Sequence, residues 1–492
     1  MNHRKKSVHR QKTRTLAIIG AGMAGSKLAS VLAEDKRFHY RIVLIGAEKR
    51  AGYNRIMLSS LLAQDIDVTQ MSLVDMTALR RAGVDTITGD PVVDVITETK
   101  SLSLQSGRQI AYDKLIFATG STATRLPIEG TDATNVMCFR NWQDVERLSA
   151  LPENSSVCVI GAGLLGLEAA VGLTKRGHKV TVVHRASSIL NRQLDAAAAE
   201  MLQAKLVEIG IEFRLGVRPE KLLWVQAEKH AQVELAEPLV NRVQLSSGDE
   251  IATTLVVMAT GITPEVSLAK QAGLEVNRAI VVNGYMETSQ ADIYALGECC
   301  EFQATTFGLI APIWQQLDCL VAKLKDDTQT MLDSKKACQT YLKNPQTRNH
   351  ALTKIQPTFQ LEPIPTRLKV SGIQLFSVGD ISRLTEHDND ENSTTAQLYQ
   401  NITLLDKGQR HYRRLILEED KLVGIILYGD VSDGNWFFSL LQSEKLLTES
   451  LDTLIFGEVY NQDLLEKITS ANRQNENIKT KAATPEKKAS HS

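Results

Sequence analysis

Apolar and polar positions fall in blocks along the chain. Leu16-Ala17-Ile18-Ile19 is wholly apolar, the pattern of a strand covered on both faces. It runs into Gly20-Ala21-Gly22-Met23-Ala24-Gly25, after which residues 26–32 return apolar side chains at helical spacing. Residues 40–46 read as a second parallel strand. The order strand, glycine turn, helix, strand recurs at Val157-Cys158-Val159-Ile160, Gly161-Ala162-Gly163-Leu164-Leu165-Gly166 and residues 179–184. Runs at 112–121 and 255–264 each read as a strand containing Ala-Thr-Gly, and 291–298 reads as a strand ending in Gly297-Glu298. Beyond residue 325 the pattern is polar and helical, and Pro357, Pro363 and Pro365 mark a linker. Short β-rich runs follow at 371–380, 412–417 and 422–430, with a hairpin at 418–421. The pattern predicts an α/β chain with two Rossmann-like dinucleotide-binding domains and then an α+β domain.

The glycine turns carry the first chemistry. A strand that ends in GxGxxG and opens a helix is the setting in which this spacing binds a dinucleotide. Gly20 permits the tight turn, Gly22 lets backbone amides approach a pyrophosphate, and Gly25 lets the helix pack on the strand. The helix N-terminus adds unpaired N–H groups and a partial positive charge. An acid near the end of the second strand would bond an adenosine ribose, and Glu48, about 23 residues past Gly25, is the one candidate. Arg55 either faces the pyrophosphate or is a surface charge; the residues leave both open. Thr119 and Gly120 would bring more backbone beside the first site, and Gly261 repeats that signal. Glu298, after Gly297, would accept hydrogen bonds from sugar-alcohol hydroxyls. Trp314 either flanks a ring system or fills core.

Gly161, Gly163 and Gly166 repeat the turn about 140 residues after the first. Two such sites can hold two cofactors and pass electrons between them. The second unit's strand ends in His184-Arg185, with no acid for a ribose 2′-hydroxyl. Arg185 suits a 2′-phosphate, or is a surface charge, and the pattern leans slightly to NADPH over NADH.

Composition narrows the class. With 492 residues, a net charge of −1 and 43% hydrophobic content, the chain has room for two to four domains. No basic excess points to nucleic acid, and no apolar run has the length of a membrane span. The opening residues are basic (Arg4, Lys5, Lys6, Arg10, Lys12, Arg14) and read as a solvated arm. A cleaved signal would remove the first strand, so the chain is expected in the cytoplasm. Cysteines at 138, 158, 299, 300, 319 and 338 form no CxxC and no zinc-like spacing. They read as buried small hydrophobes, and no metal site is expected. Oxidised neighbours such as Cys299-Cys300 would close a strained ring, which argues against their catalytic use.

Together the motifs, over about residues 14–325, resemble the two-dinucleotide-binding-domain flavoprotein family. Within it, Tyr53-Asn54-Arg55, Leu58-Ser59-Ser60, Arg192-Gln193-Leu194-Asp195, Gly297-Glu298-Cys299 and the stretch from Gly308 to Trp314 resemble the flavin reductase region of NAD(P)H nitrite reductase large subunits. The same region serves as the electron-transfer subunit of assimilatory nitrate reductases, and rubredoxin and ferredoxin reductases are close relatives. The resemblance implies an FAD-dependent NAD(P)H oxidoreductase. It places FAD at Gly20, Gly22, Gly25, Arg55, Thr119, Gly120 and Glu298. It places NAD(P)H at Gly161, Gly163, Gly166 and Glu168, with Glu168 positioning the nicotinamide and Trp314 beside the flavin. Relatives carry their ribose acid at the position of Ala47, one residue before Glu48, and rubredoxin-type relatives often have Lys where Ser60 stands.

The implied organisation is a disordered basic arm (1–13), an FAD domain (14–123 and 250–325), an NAD(P)H domain (124–249), a helical linker (326–365), an α+β interface domain of a possible homodimer (366–465) and a disordered tail (466–492). No cysteine precedes Cys138, which excludes the redox CxxC and the early single cysteine of other members, so electrons should leave the flavin for an external acceptor. No cysteine follows Cys338, so no cysteine-ligated cluster is expected there, nor nitrite reduction by this chain alone. The expected partner is a nitrate or nitrite reductase catalytic subunit, or else a rubredoxin or ferredoxin. A non-catalytic flavin-binding redox sensor is the reading from a different class.

Overall fold

The apolar run at 16–19 lies in the middle of a five-stranded parallel sheet. Its spatial order is Ile293–Ala295, Lys114–Phe117, Arg14–Ile19, Tyr40–Gly46, Asp85–Thr88. The structure, a computed structural model, describes residues 13–224, 239–343, 358–370, 372–379, 381, 399–447, 451–462 and 464. Nearly all of the basic arm and all of the tail expected at the chain ends lie outside these residues. The described residues form two units, one built from 13–153, 239, 256–343 and 358–362, the other from 154–224, 240–255 and the described residues from 363 onward.

In the first unit the strand order reverses between Arg14–Ile19 and Lys114–Phe117, so the crevice beyond their C-terminal ends is a topological switch point. The two strand ends meet closely: Ala118 N–H donates to Ile19 O at 2.8 Å and Gly20 N–H to Ile45 O at 2.7 Å. Gly20 takes φ +114°, and a Cβ there would lie 2.0 Å from Ala118 O. Helix Met23–Glu34 packs Leu28, Ala29 and Leu32 into the core beneath the sheet. The run at 112–121 is not one strand. The chain turns at Gly120, with φ +69°, and Ser121–Ala123 pairs antiparallel with Ile262–Pro264. The run at 255–264 breaks in the same way at Gly261, with φ +119°.

Helix Ile310–Lys343 extends over 34 residues and takes in the polar stretch after residue 325. Among the described residues no helix is long and apolar enough to cross a membrane. An ionic cluster ties this helix to the sheet. Lys114 Nζ bonds Tyr294 Oη at 2.7 Å, Asp327 Oδ2 at 2.9 Å and Asp292 Oδ1 at 3.3 Å. The stretch marked by prolines carries a core residue: Phe359 N–H donates to Gly284 O at 2.8 Å, and its ring stands edge-on to Phe302 and Phe307. Residues 344–357 of the expected linker lie outside the described residues.

In the second unit Ser156–Ile160, Lys179–His184 and Ile211–Leu215 are adjacent parallel strands. The C-terminal part is an antiparallel sheet in the order Thr366–Val370, Ile373–Gly379, Lys421–Tyr428, His411–Glu418, Tyr399–Asp406. Helix Gly434–Ser443 covers it through Trp436, Phe437 and Leu440, which cluster with Phe376, Leu415 and Leu427. The hairpin at 418–421 turns through Glu419 and Asp420, both at positive φ (50° and 58°), as a type I′ turn requires. The two outer strands were not legible in the pattern; Tyr399–Asp406 is a largely exposed edge with polar Gln400, Asn401 and Thr403.

Helix Ala196–Glu208 of this unit packs on the same sheet. Tyr428 Oη donates to Met201 O at 3.3 Å, and Arg410 pairs with Glu208 at 3.0 Å. Its N-cap, Asp195, is 4% exposed and accepts from Ala198 N–H, the Tyr412 hydroxyl and the Arg414 guanidinium.

The Lys114 cluster makes a pH-dependent contribution to stability. Burial alone would lower the Lys114 pKa, but the hydrogen bonds Lys114 donates to Tyr294 and Asp327 hold it above the ordinary value. Burial pushes Asp327 up, and Lys114 more than offsets this, leaving it below 3.8. Asp292 is held down in the same way by Lys100 and Lys114. A depressed carboxylate stabilises the fold above its unfolded pKa, and that stability is lost as pH falls through the folded value. Lys114→Met is therefore expected to cost about 2 kcal/mol at pH 7, with the half-exposed partners limiting the loss. Urea titrations should show the deficit shrinking as pH drops below about 4.

Candidate functional site

At the switch point the first glycine turn leaves space. Gly22 caps helix Met23–Glu34 in an extended conformation, with no side-chain cap and no acid in the first turn. A Cβ on Gly22 would meet nothing within 4 Å, whereas one on Gly25 would lie 1.9 Å from Gly20 O. The helix start therefore presents its dipole to open room that can admit an anionic group. Gly297 closes in from the other side: its Cβ would lie 3.4 Å from Ala24 Cβ and 4.0 Å from an Ile313 methyl.

Glu298 follows Gly297. Its carboxylate accepts from the Ser121 hydroxyl and the Arg140 guanidinium, and Arg140 also bonds Ser121 Oγ at 2.8 Å. The Arg140 Nε atom is buried with no hydrogen-bond partner, a donor left over for a bound group. Gly120 adjoins this pair, since a Cβ there would lie 3.9 Å from Glu298 Oε2. The two Ala-Thr-Gly turns are laced together. Thr119 Oγ1 donates to Glu265 O at 2.8 Å, Thr124 N–H to Gly261 O at 3.0 Å, and Thr260 Oγ1 to Thr124 O at 2.7 Å. The structure thus gathers Gly20, Gly22, Gly25, Gly120, Gly297 and Glu298 near one crevice. Arg140 was not legible in the sequence; in the structure it directly precedes Asn141, the cap of helix Trp142–Ser149.

Glu48 and Arg55, read separately, form one ion pair, and Glu48 also accepts from Tyr53 Oη at 2.7 Å. Tyr53 stands edge-on to Trp142, over which Arg50 sits at 4.2 Å. Trp314, the fifth residue of helix Ile310–Lys343, is half-buried against the first unit's core. Cys299 and Cys300 are fully buried. Their thiols donate to the carbonyls of Phe117 and Gly297, and burial pushes both pKa values up, so neither is a reactive thiolate.

The second turn repeats the first. Gly161 takes φ +117° and donates to Val183 O at 2.8 Å, and a Cβ on Gly163 would meet nothing within 4 Å. Gly166 is buried in helix Leu164–Lys175, and Glu168 lies half-buried in the same helix. Where an acid is usual, His184 turns its ring to the glycine turn: Nδ1 accepts Ala162 N–H at 3.3 Å and Nε2 faces Asn191 Oδ1 at 3.4 Å. This network assigns the Nε2–H tautomer. Burial, aided by Arg185, lowers the His184 pKa, so the ring is neutral at pH 7. Arg185 is exposed beside it.

Comparison with known proteins follows the same lines. The model of the pyridine nucleotide-disulphide oxidoreductase family matches residues 14–317, and that of the rubredoxin NAD+ reductase C-terminal domain matches residues 365–445. The chain is 33% identical to the nitrite reductase [NAD(P)H] of Bacillus subtilis, over 94% of this chain and 51% of that protein. It is also 33% identical to the assimilatory nitrate reductase electron transfer subunit of the same organism, over 86% of this chain and 48% of that protein. The chain thus spans about half the length of these relatives. In fold it is similar to the putidaredoxin reductase of a covalent putidaredoxin reductase–putidaredoxin complex. The TM-score is 0.73 at 20% identity, with 94% of this chain and 99% of that one covered. A match over more than half its residues settles the family: the chain belongs to the pyridine nucleotide-disulphide oxidoreductases.

Proposed function

We propose that this chain is an FAD-dependent NAD(P)H oxidoreductase that passes electrons to a partner redox protein, as the reductase component of nitrate or nitrite assimilation. The observation that carries the reading is the pair of glycine turns, each with its middle glycine open to empty space at a helix start. The residues present fit the two nucleotides. Gly22 leaves room for a pyrophosphate, and Gly20 and Gly25 close the turn behind it. Arg55 offsets its charge, while Glu48, already paired with Arg55, faces the adenosine end. Thr119, Gly120, Gly261 and Gly297 supply backbone along the flavin. Glu298 accepts from its sugar-alcohol chain, with Arg140 orienting the carboxylate and offering Nε. Trp314 flanks the ring system and helps exclude water.

In the second unit Gly161, Gly163 and Gly166 receive NAD(P)H, Glu168 orients the nicotinamide, and Arg185 meets a 2′-phosphate. When bound, the flavin supplies the step from two-electron hydride acceptance to single-electron release; the chain's own residues bind, orient and shield. The similarity of residues 365–445 to a rubredoxin reductase C-terminal domain favours a second reading, in which the acceptor is a small iron–sulfur protein. Cytochrome c reduction that appears only when such a protein is added separates the two.

Anaerobic addition of NADH or NADPH to the purified protein should bleach its flavin band; no bleaching by either sinks the proposal. Arg185→Ala should weaken NADPH binding roughly tenfold and leave NADH unchanged, as read from the same titration. The open glycines give a sharper test. Gly22→Ala should retain the fold, judged by circular dichroism, and lose flavin. Gly163→Ala should keep flavin but raise the Kd for nucleotide.

A further inference from the structure

The loop from His184 to Asp195 begins beside the second glycine turn and ends on a carboxylate held by the C-terminal sheet. Three points fix its course. At its start His184 Nδ1 accepts Ala162 N–H at 3.3 Å. In its middle Leu190 N–H donates to Ala162 O at 3.0 Å, so the loop grips both polar groups of a residue inside GxGxxG. Leu190 does this at φ +47°, a left-handed conformation unfavourable for a branched side chain and kept only where its surroundings impose it. Leu190 O then accepts Gln193 N–H at 2.7 Å and Leu194 N–H at 2.9 Å, which carries the constraint to Asp195.

Asp195 is bound more tightly than capping requires. The cap needs only the bond from Ala198 N–H, at 3.0 Å. The Tyr412 hydroxyl and Arg414 Nη1, the latter at 2.9 Å, both reach Oδ2 from a strand more than 200 residues away. Tyr412 and Arg414 lie on one face of strand His411–Glu418. Arg413, between them, serves the other face, pairing with Asp430 and Asp433 at 2.7 Å each. The loop is buried at Ile189, Leu190, Leu194 and Asp195 and exposed at Arg185, Asn191 and Arg192, so one side is anchored and the other is free for a ligand.

We propose that Asp195, held by Tyr412 and Arg414, is a positioning residue for the nicotinamide nucleotide. Through the loop at 185–195 the C-terminal sheet sets the geometry of the second glycine turn and with it nucleotide affinity. This rests on reading that turn as the NAD(P)H site. A purely structural tie would lower the melting temperature of variants without moving nucleotide affinity.

The test uses the full-length flavoprotein with Tyr412→Phe, Arg414→Met and the conservative Arg414→Lys. Anaerobic stopped-flow saturation with NADPH and with NADH gives Kd and the limiting rate of flavin reduction. Tyr412→Phe and Arg414→Met should raise Kd about 3- to 30-fold, the span of coupling through such networks, with the limiting rate and flavin content retained. Arg414→Lys should recover part of the affinity. An unchanged Kd in both variants overturns the inference even if their melting temperatures fall. Should the variants not fold, coupling is reciprocal, so hydrogen exchange on the wild-type protein decides. NADPH should slow exchange at the amides of 411–418, and no change there overturns it. A wild-type protein bleached by neither nucleotide removes the parent reading and this one together. Bleaching with unmoved variants removes only this one.

Discussion

The approach of Gly20 to the carbonyl of Ala118 is the contact on which the first unit depends. A single Cβ would sit 2.0 Å from that oxygen, so the two central strands can end side by side only if one ends in glycine. Two neighbours share the constraint. Gly25 lies against Gly20 O, and a Cβ on Gly46 would come 2.7 Å from Ala21 Cβ. Gly20 and Gly25 thus bring backbone to backbone, and Gly46 makes room for the Ala21 methyl. A Cβ on Gly22, in the same motif, would meet nothing within 4 Å, so its missing side chain leaves open space. The letters of GxGxxG do not separate these roles; the surroundings of each glycine do.

Much of this architecture was legible because it rests on local signals. Apolar runs marked the parallel strands, positive-φ glycines ended them, and the repetition of one turn about 140 residues later made coincidence untenable. The central strands of the C-terminal sheet were visible for the same reason. The charged and polar pairings were not. Glu298 drew attention through the glycine before it, but its partner Arg140 lies 158 residues away, and nothing local distinguishes that arginine from a surface one. Glu48 and Arg55 are separate signals in the sequence, which does not show that they pair. His184 stands out there only for not being an acid, and its bond to Ala162 depends on the ring's rotation. Asp195 reads as an ordinary helix cap until Tyr412 and Arg414 arrive across 217 and 219 residues.

The two glycine turns solve the same problem with different support. Around the first, buried polar groups come from its own unit's strand ends, with Ser121, Arg140 and Glu298 forming one cluster. Around the second, the turn is gripped by a loop that includes a strained leucine and ends beneath a separate sheet. The first cluster is a property of one layer; the loop at the second turn is bonded to residues read at the far end of the chain.

Phe359 shows where a module really ends. The family match stops at residue 317, inside the long helix, and a cut after Lys343 would leave the whole parallel sheet in place. Either cut would remove the ring that stands against Phe302 and Phe307 and the bond to Gly284, opening an aromatic socket to water. A unit excised for study, or moved between proteins by recombination, keeps these contacts only if it carries the chain past Phe359. In gene-fusion terms the transferable segment is longer than the homologous one.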